Sequence, residues 1–159
     1  MGKKTLVAYF SASGVTAALA GKLAKAIASD RFEIVPEQIY TEADLDWQNP
    51  RSRSSLEMND RSSRPAIASK LENLNQYEVV FIGFPIWWYR EPSIIDTFME
   101  THDFTGKTVI PFATSGGSGI GRSGENLQQL APGAQVMHGK LFPANVSEKE
   151  LAAWAAEWL

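Results

Sequence analysis

Five times along the chain a short run of strand-forming residues is followed by a run with helical spacing. Lys4–Phe10 is apolar and β-favouring, and Thr16–Ser29 then places Leu19, Leu23 and Ile27 at steps of four among alanines. Phe32–Ile39 reads as a weaker second strand. Pro65 can open a helix at its first position, with Ile67, Leu71 and Leu74 on one face. Glu78–Gly83 is the strongest strand run. After it, Ser93 and Asp96 resemble a capping box before Ile94, Ile95, Phe98 and Met99. Thr108–Thr114 is a fourth strand, followed by a helix from about Ser123 to Leu130. Gln135–Phe142 is a fifth strand, and Ser147–Glu150 is a capping box for a last helix with Leu151, Trp154 and Trp158. Such alternation predicts a doubly wound α/β fold, a parallel sheet with helices on both faces. Residues 41–65 break the pattern, with charged residues and serines and no period, and read as a long surface excursion.

The 159 residues suit a single domain over 1–159. There is no cysteine and there are two histidines, His102 and His138. Thiolate catalysis, disulfides, iron–sulfur clusters and cysteine zinc sites are therefore excluded. Any redox chemistry must sit on a bound organic cofactor. The net charge of −3 does not point to nucleic acid or an anionic membrane. No apolar run reaches the ~18 residues of a membrane helix. Met1-Gly2-Lys3-Lys4 leads directly into a strand, so a cytoplasmic chain is expected. Both histidines read as structural.

In an open parallel sheet, ligands bind beyond the carboxyl ends of the strands, where strand order reverses; in the order 2-1-3-4-5 that point lies between strands 1 and 3. The loops after strands 1, 3 and 4 therefore matter most. The first is Ser11, Ala12, Ser13, Gly14, Val15 and Thr16, three hydroxyls and a glycine running into a helix N-terminus. It fits an anion held by neutral donors, or else a plain capped turn. The second holds Pro85, Ile86, Trp87, Trp88 and Tyr89, ahead of Arg90, Glu91 and Pro92. Three aromatics between two prolines suit stacking on a flat ring, or a hydrophobic staple or dimer patch. The third is Thr114, Ser115, Gly116 and Gly117, where bare backbone can approach a ligand. Gly119–Gly124 also fits G-x-G-x-x-G, but it does not follow the first strand and no acidic residue ends the next one, so a dinucleotide fingerprint is set aside. Together the loops offer a phosphate nest, an aromatic wall and a backbone wall. Those are the parts needed for flavin mononucleotide (FMN), with its phosphate, flexible ribityl chain and planar isoalloxazine.

These motifs resemble the flavodoxin-like superfamily. Ser11-x-Ser13-Gly14-Val15-Thr16 is similar to its phosphate loop. Tyr77–Trp88 and Thr114–Gly119 resemble strand 3 and the flavin loops of a small bacterial flavodoxin-like group, and the excursion with Leu45-Asp46-Trp47 and Arg61–Pro65 is similar to that group's as well. The resemblance implies a five-stranded sheet in the order 2-1-3-4-5. It implies that Ser11–Thr16 hold the phosphate while Pro85–Tyr89 and Ser115–Gly117 flank the ring. Electron-transfer flavodoxins are more acidic and place a tyrosine in the third loop, where this chain has glycine and serine. That leaves one ring face more open.

Three uses follow. One is electron transfer with a redox partner protein. A second is NAD(P)H-dependent reduction of quinones or similar small acceptors, toward which Arg51, Arg53, Arg61 and Arg64 lean. A third is a non-enzymatic binding module that has lost flavin. A phosphate-receiver domain is set aside, because Ser11 and Pro85 stand where its aspartates would be needed. Either a monomer or a homodimer is compatible with the sequence.

Overall fold

The computed structural model describes residues 4–115, 117 and 119–159. Strands β1 (Thr5–Tyr9), β3 (Val79–Pro85) and β4 (Thr108–Thr114) are buried along almost their whole length. Their sequences are apolar on both pleats, as a strand between two helical layers requires. With β2 (Asp30–Glu33), β5 (Gln135–Val136) and β6 (Lys140–Leu141), they form a parallel sheet in the order β2-β1-β3-β4-β5, with β6 also paired to β4. Val7 lies level with Arg31 on one side and Phe81 on the other.

The alternation along β1 assigns the two faces. Val7 points to a layer made by α1 (Val15–Ala26) and α5 (Glu148–Ala155), where Leu19, Leu23 and Leu151 pack on Phe81, Ile110 and Phe112. Leu6, Ala8 and Phe10 point to the opposite layer, built by α3 (Ser93–Thr101) and α4 (Ser123–Leu130) with Ile94, Phe98 and Leu127. Each fully buried Leu, Ile or Phe contributes about 1.5–3 kcal/mol relative to exposure. Trp154 packs tilted and Trp158 edge-on beside Phe81, centroids 5.6 and 6.3 Å away, and both are partly buried against the core. Ser147 caps α5 by accepting from the Glu150 N–H at 3.1 Å. His102 ends α3 with Nδ1 3.0 Å from the Phe98 carbonyl, a structural contact.

The observed elements depart from the sequence reading at five places. The second strand ends at Glu33 rather than Ile39, because Pro36 brings no N–H to a ladder. Residues 35–37 instead form a short antiparallel bridge to residues 66–68, through Glu37 N–H to Ala66 O and Ala68 N–H to Val35 O. That bridge removes the helix expected from Pro65. The backbone around Ile67 is extended, and only a 3-10 turn forms, at Leu74–Gln76. Its apolar positions are used all the same: Leu74 is buried, and Ile67 and Leu71 pack against the core.

The excursion contains a helix, α2 (Arg53–Met58), capped by Ser52. Its buried residues are Ser54, Ser55 and Met58, so no apolar stripe announces it. The fifth strand is in two pieces. Val109 is level with Val136 but Phe112 with Lys140, so the outer strand carries one residue more across Pro111, which has no N–H to give. Gly139 at φ +84° makes the turn there. Finally, Ser93 is not the cap of α3. The N-cap is Pro92, the Ser93 hydroxyl donates to the Glu57 carbonyl, and Asp96 turns toward Arg90.

Candidate functional site

The carboxyl ends of β1, β3 and β4 lie side by side, and their loops meet there. In the first loop the Ser11 hydroxyl accepts from the Gly14 N–H at 3.1 Å. Gly14, at φ +95°, turns the chain into α1. No side chain caps α1 and no acidic residue occupies its first turn. Nothing lies within 4 Å of where a Gly14 Cβ would stand, so the approach to this helix end is open. Thr16 does not face that opening. It is buried, with its hydroxyl 2.7 Å from that of Thr114, and braces α1 against the end of β4.

The second loop is a tight hairpin. Trp87 N–H donates to Arg90 O at 3.0 Å and Arg90 N–H to Trp87 O at 3.2 Å. Its two central residues have positive φ, 49° at Trp88 and 66° at Tyr89. This is the conformation that hairpins normally give to Asn-Gly, so two aromatics here hold a backbone they do not favour. Ile86 N–H ties the loop to Thr114 O at 2.8 Å, and Gly121 sits so close that a Cβ on it would lie 2.5 Å from Tyr89 O. The three aromatics divide their roles. Trp87 packs into the core, edge-on to Phe10 and Tyr40. Trp88 is half-buried and Tyr89 is exposed.

Below this hairpin lies a buried charge cluster. The Arg90 guanidinium is 3.5 Å from Asp96 and 3.7 Å from Glu91, and it donates to Met58 O at 3.2 Å. Glu91 Oε1 accepts from the Asn126 side chain, while Glu91 Oε2 and Asp96 Oδ1 have no hydrogen-bond partner among the described residues. Burial, and then the adjacent Glu91 carboxylate, push Asp96 up to about 8. Arg64 reaches Asp96 from the excursion and also pairs with Glu100.

A cleft of about 780 Å³ opens where the loops meet. Ala12 and Ser13 line it from the first loop, Pro85 to Tyr89 from the second, and Ser115 and Gly117 from the third. Gly116 lies outside the described residues. Ser11, Gly14 and Val15 shape the first loop, and Thr16 and Thr114 stand behind the wall. Leu45, Trp47 and Ser54 complete the lining from the excursion. They carried no periodic signal; Leu45 and Trp47 stood out only through the resemblance of Leu45-Asp46-Trp47 to the flavodoxin-like group. No charged side chain lines it among the described residues. The arginines of the excursion are partly accounted for. Arg53 lies over the Tyr40 ring at 3.8 Å and pairs with Glu57, and Arg64 is bound to its carboxylates. Of the discounted Gly119–Gly124 run, Gly124 serves packing, since a Cβ there would meet Met137 O at 2.7 Å.

Among the described residues, no group of three or more His, Asp or Glu is placed to hold a metal ion. No helix among them is long and apolar enough to cross a membrane.

Solved structures agree with this architecture. The "putative flavoprotein" of Bacteroides eggerthii DSM 20697 is 54% identical, with 99% of this chain and 98% of that one covered at a TM-score of 0.93. That of Bacteroides uniformis ATCC 8492 is 50% identical, with 98% and 99% covered at a TM-score of 0.91. A flavoprotein from Lactobacillus acidophilus NCFM, solved in complex with FMN, is 22% identical over 99% of both chains with a TM-score of 0.72, and shares the fold. No curated protein sequence matches. The family model described as Flavodoxin matches residues 4–158, and the chain belongs to that family.

Proposed function

We propose that this chain binds FMN without a covalent link and transfers electrons through it. The observation that carries the reading is the meeting of three separated loops in one uncharged cleft, beside a helix N-terminus that no side chain caps. The cleft volume falls within the roughly 300–1,000 Å³ of small-molecule sites. The two Bacteroides relatives described as flavoproteins, and the FMN complex of the Lactobacillus protein, support the same assignment.

Each part of the chain has a task in this reading. The N–H groups of the first turn of α1 and the hydroxyls of Ser11 and Ser13 would hold the phosphate, with the helix dipole adding to them. No Lys or Arg lies in that loop. Trp88, Ile86 and Pro85 would wall the ring and exclude water. The Trp87–Arg90 hairpin fixes the peptide groups presented to it. Bound FMN would supply the one- and two-electron chemistry that the side chains of this cysteine-free chain do not. With no cation lining the cleft among the described residues, added negative charge on a bound ring gains little compensation, which favours a low potential.

The electrons could pass to a redox partner protein or, with NAD(P)H as donor, to a small acceptor. The open, uncharged mouth beside Trp47 favours the small acceptor. Purified protein should be yellow or take up added FMN. Steady-state oxidation of NADPH with a quinone then separates the two uses, because a shuttle shows no turnover. Colourless protein that takes up no FMN would overturn the proposal and leave a binding module without flavin.

A further inference from the structure

Trp47 and Tyr89 are large aromatics that line the cleft beyond Pro85, Ile86 and Trp88, the wall assigned above to the flavin ring. Trp47 is 68% exposed and Tyr89 76% exposed, and both line the cleft. Trp47 makes no ring contact with any described residue. It does not sit on a loose segment. Thr41 N–H donates to Asp44 Oδ2 at 3.0 Å and Asp44 N–H returns a bond to Thr41 Oγ1 at 3.1 Å. Gln48 N–H is held by Asp46, Ser54 N–H donates to Asp44 O, and Leu45 packs against the core. A loop tied down on both sides of an exposed indole keeps apolar surface in water at a fixed place. A planar ligand that stacks there would recover that surface.

The charges around the mouth narrow the ligand class. Among the described residues, no ionisable side chain other than the Tyr89 phenol lines the cleft. Arg53 is engaged with Tyr40 and Glu57, and Arg64 with Glu100 and Asp96. Arg51 and Arg61 are exposed and do not line the cleft. A dinucleotide would bring a pyrophosphate to a mouth with no cation to meet it. A neutral flat ring needs only stacking surface, which the exposed Trp47 and Tyr89 offer.

We infer that Trp47 and Tyr89 form a stacking subsite for a neutral, planar acceptor of the quinone class, at the outer edge of the cleft. The inference rests on the FMN reading above and adds to it the residue that selects the acceptor. Trp47 is a binding residue that FMN itself does not need.

The test uses the FMN-loaded full chain, as wild type, Trp47→Phe and Trp47→Ala. The equilibrium dissociation constant of menadione is read on the oxidised holoprotein, where no turnover occurs, from perturbation of the visible flavin band. The dissociation constants of FMN and of NADP+, which cannot reduce the flavin, are measured alongside. Trp47→Ala should weaken menadione at least about fivefold, the lower end expected for one lost aromatic stack, with Trp47→Phe retaining most of the affinity. FMN and NADP+ binding should stay within about twofold. Unchanged menadione affinity in Trp47→Ala overturns the inference. A fall in FMN affinity of about tenfold or more also overturns it, because Trp47 would then wall the flavin itself. A loss confined to NADP+ overturns it in favour of a dinucleotide. Wild-type protein that takes up no FMN defeats the underlying reading, a result distinguishable from all of these.

Discussion

Trp87 stands edge-on to Tyr40, with ring centroids 5.3 Å apart and planes at 73°. Phe10 completes the cluster at 5.6 Å from each ring. Phe10 follows β1, Tyr40 precedes the excursion and Trp87 follows β3, so one aromatic cluster joins three segments that border the cleft. Tyr40 in turn donates to Glu57 at 2.5 Å and lies under Arg53, which fastens α2 to the same point.

Trp87 and Trp88 are adjacent yet should fail differently. Trp87→Ala should destabilise the apoprotein by about 2–4 kcal/mol, since a large packed ring is lost and the cluster cannot close over the gap. Trp88→Ala should cost less than about 1 kcal/mol in stability but weaken FMN by about 1–3 kcal/mol if the ring stacks there. Urea unfolding and flavin fluorescence titration measure the two effects. Equal stability losses would refute the division of roles.

The Thr16–Thr114 pair sets up a coupling experiment. The hydroxyls are 2.7 Å apart and both residues are buried. Thr16→Val or Thr114→Val alone leaves one buried hydroxyl unpaired and should cost about 1–3 kcal/mol. The double variant should recover much of that loss. Additive losses in chemical denaturation would show that the contact between α1 and β4 contributes little.

Asp96 gives a pH dependence with a definite sign. Its carboxyl is pushed up to about 8 in the folded chain, by burial first and then by Glu91. In the unfolded chain it titrates near the usual ~3.9. Between these values the folded state binds the additional proton, so this group's contribution to stability is full below about pH 4 and is lost as pH rises toward about 8. The slope from this group is at most about 1.4 kcal/mol per pH unit. Asp96→Asn should flatten that part of the profile in melts between pH 5 and 8. A wild-type profile with no such fall would contradict it.

Tyr89 adopts φ 66° while 76% exposed, so its backbone is strained and its ring contributes little packing. Tyr89→Gly should therefore raise apoprotein stability by up to about 1 kcal/mol. A clear loss of stability would mean that the ring supports the hairpin.

The sequence made the inner sheet legible because β3 and β4 are apolar on both pleats and end at marked turns. The strands at the rim were harder to read. Pro36 and Pro111 each withhold an N–H from a ladder, which ends β2 early and splits the fifth strand. The pairing of residues 66–68 with 35–37 is a long-range backbone contact that outweighs a helical spacing of Ile67, Leu71 and Leu74. For the site, the three loops could be found from topology and composition. Which aromatic packs inward could not, since Trp87 and Trp88 differ only in the positive φ of a hairpin. Ser54 stayed hidden because α2 faces the core with serines, and Trp47 showed through the family resemblance alone because residues 41–52 carry no period.

The central claim is that three loops and one helix end form a site for a phosphorylated flavin. Calorimetric titration of the apoprotein with FMN and, separately, with riboflavin tests it most directly. One FMN should bind per chain, with riboflavin weaker by about 1.5–3 kcal/mol, the loss of charge-assisted bonds to the phosphate. No uptake of FMN, or equal affinity for the two flavins, would contradict the account.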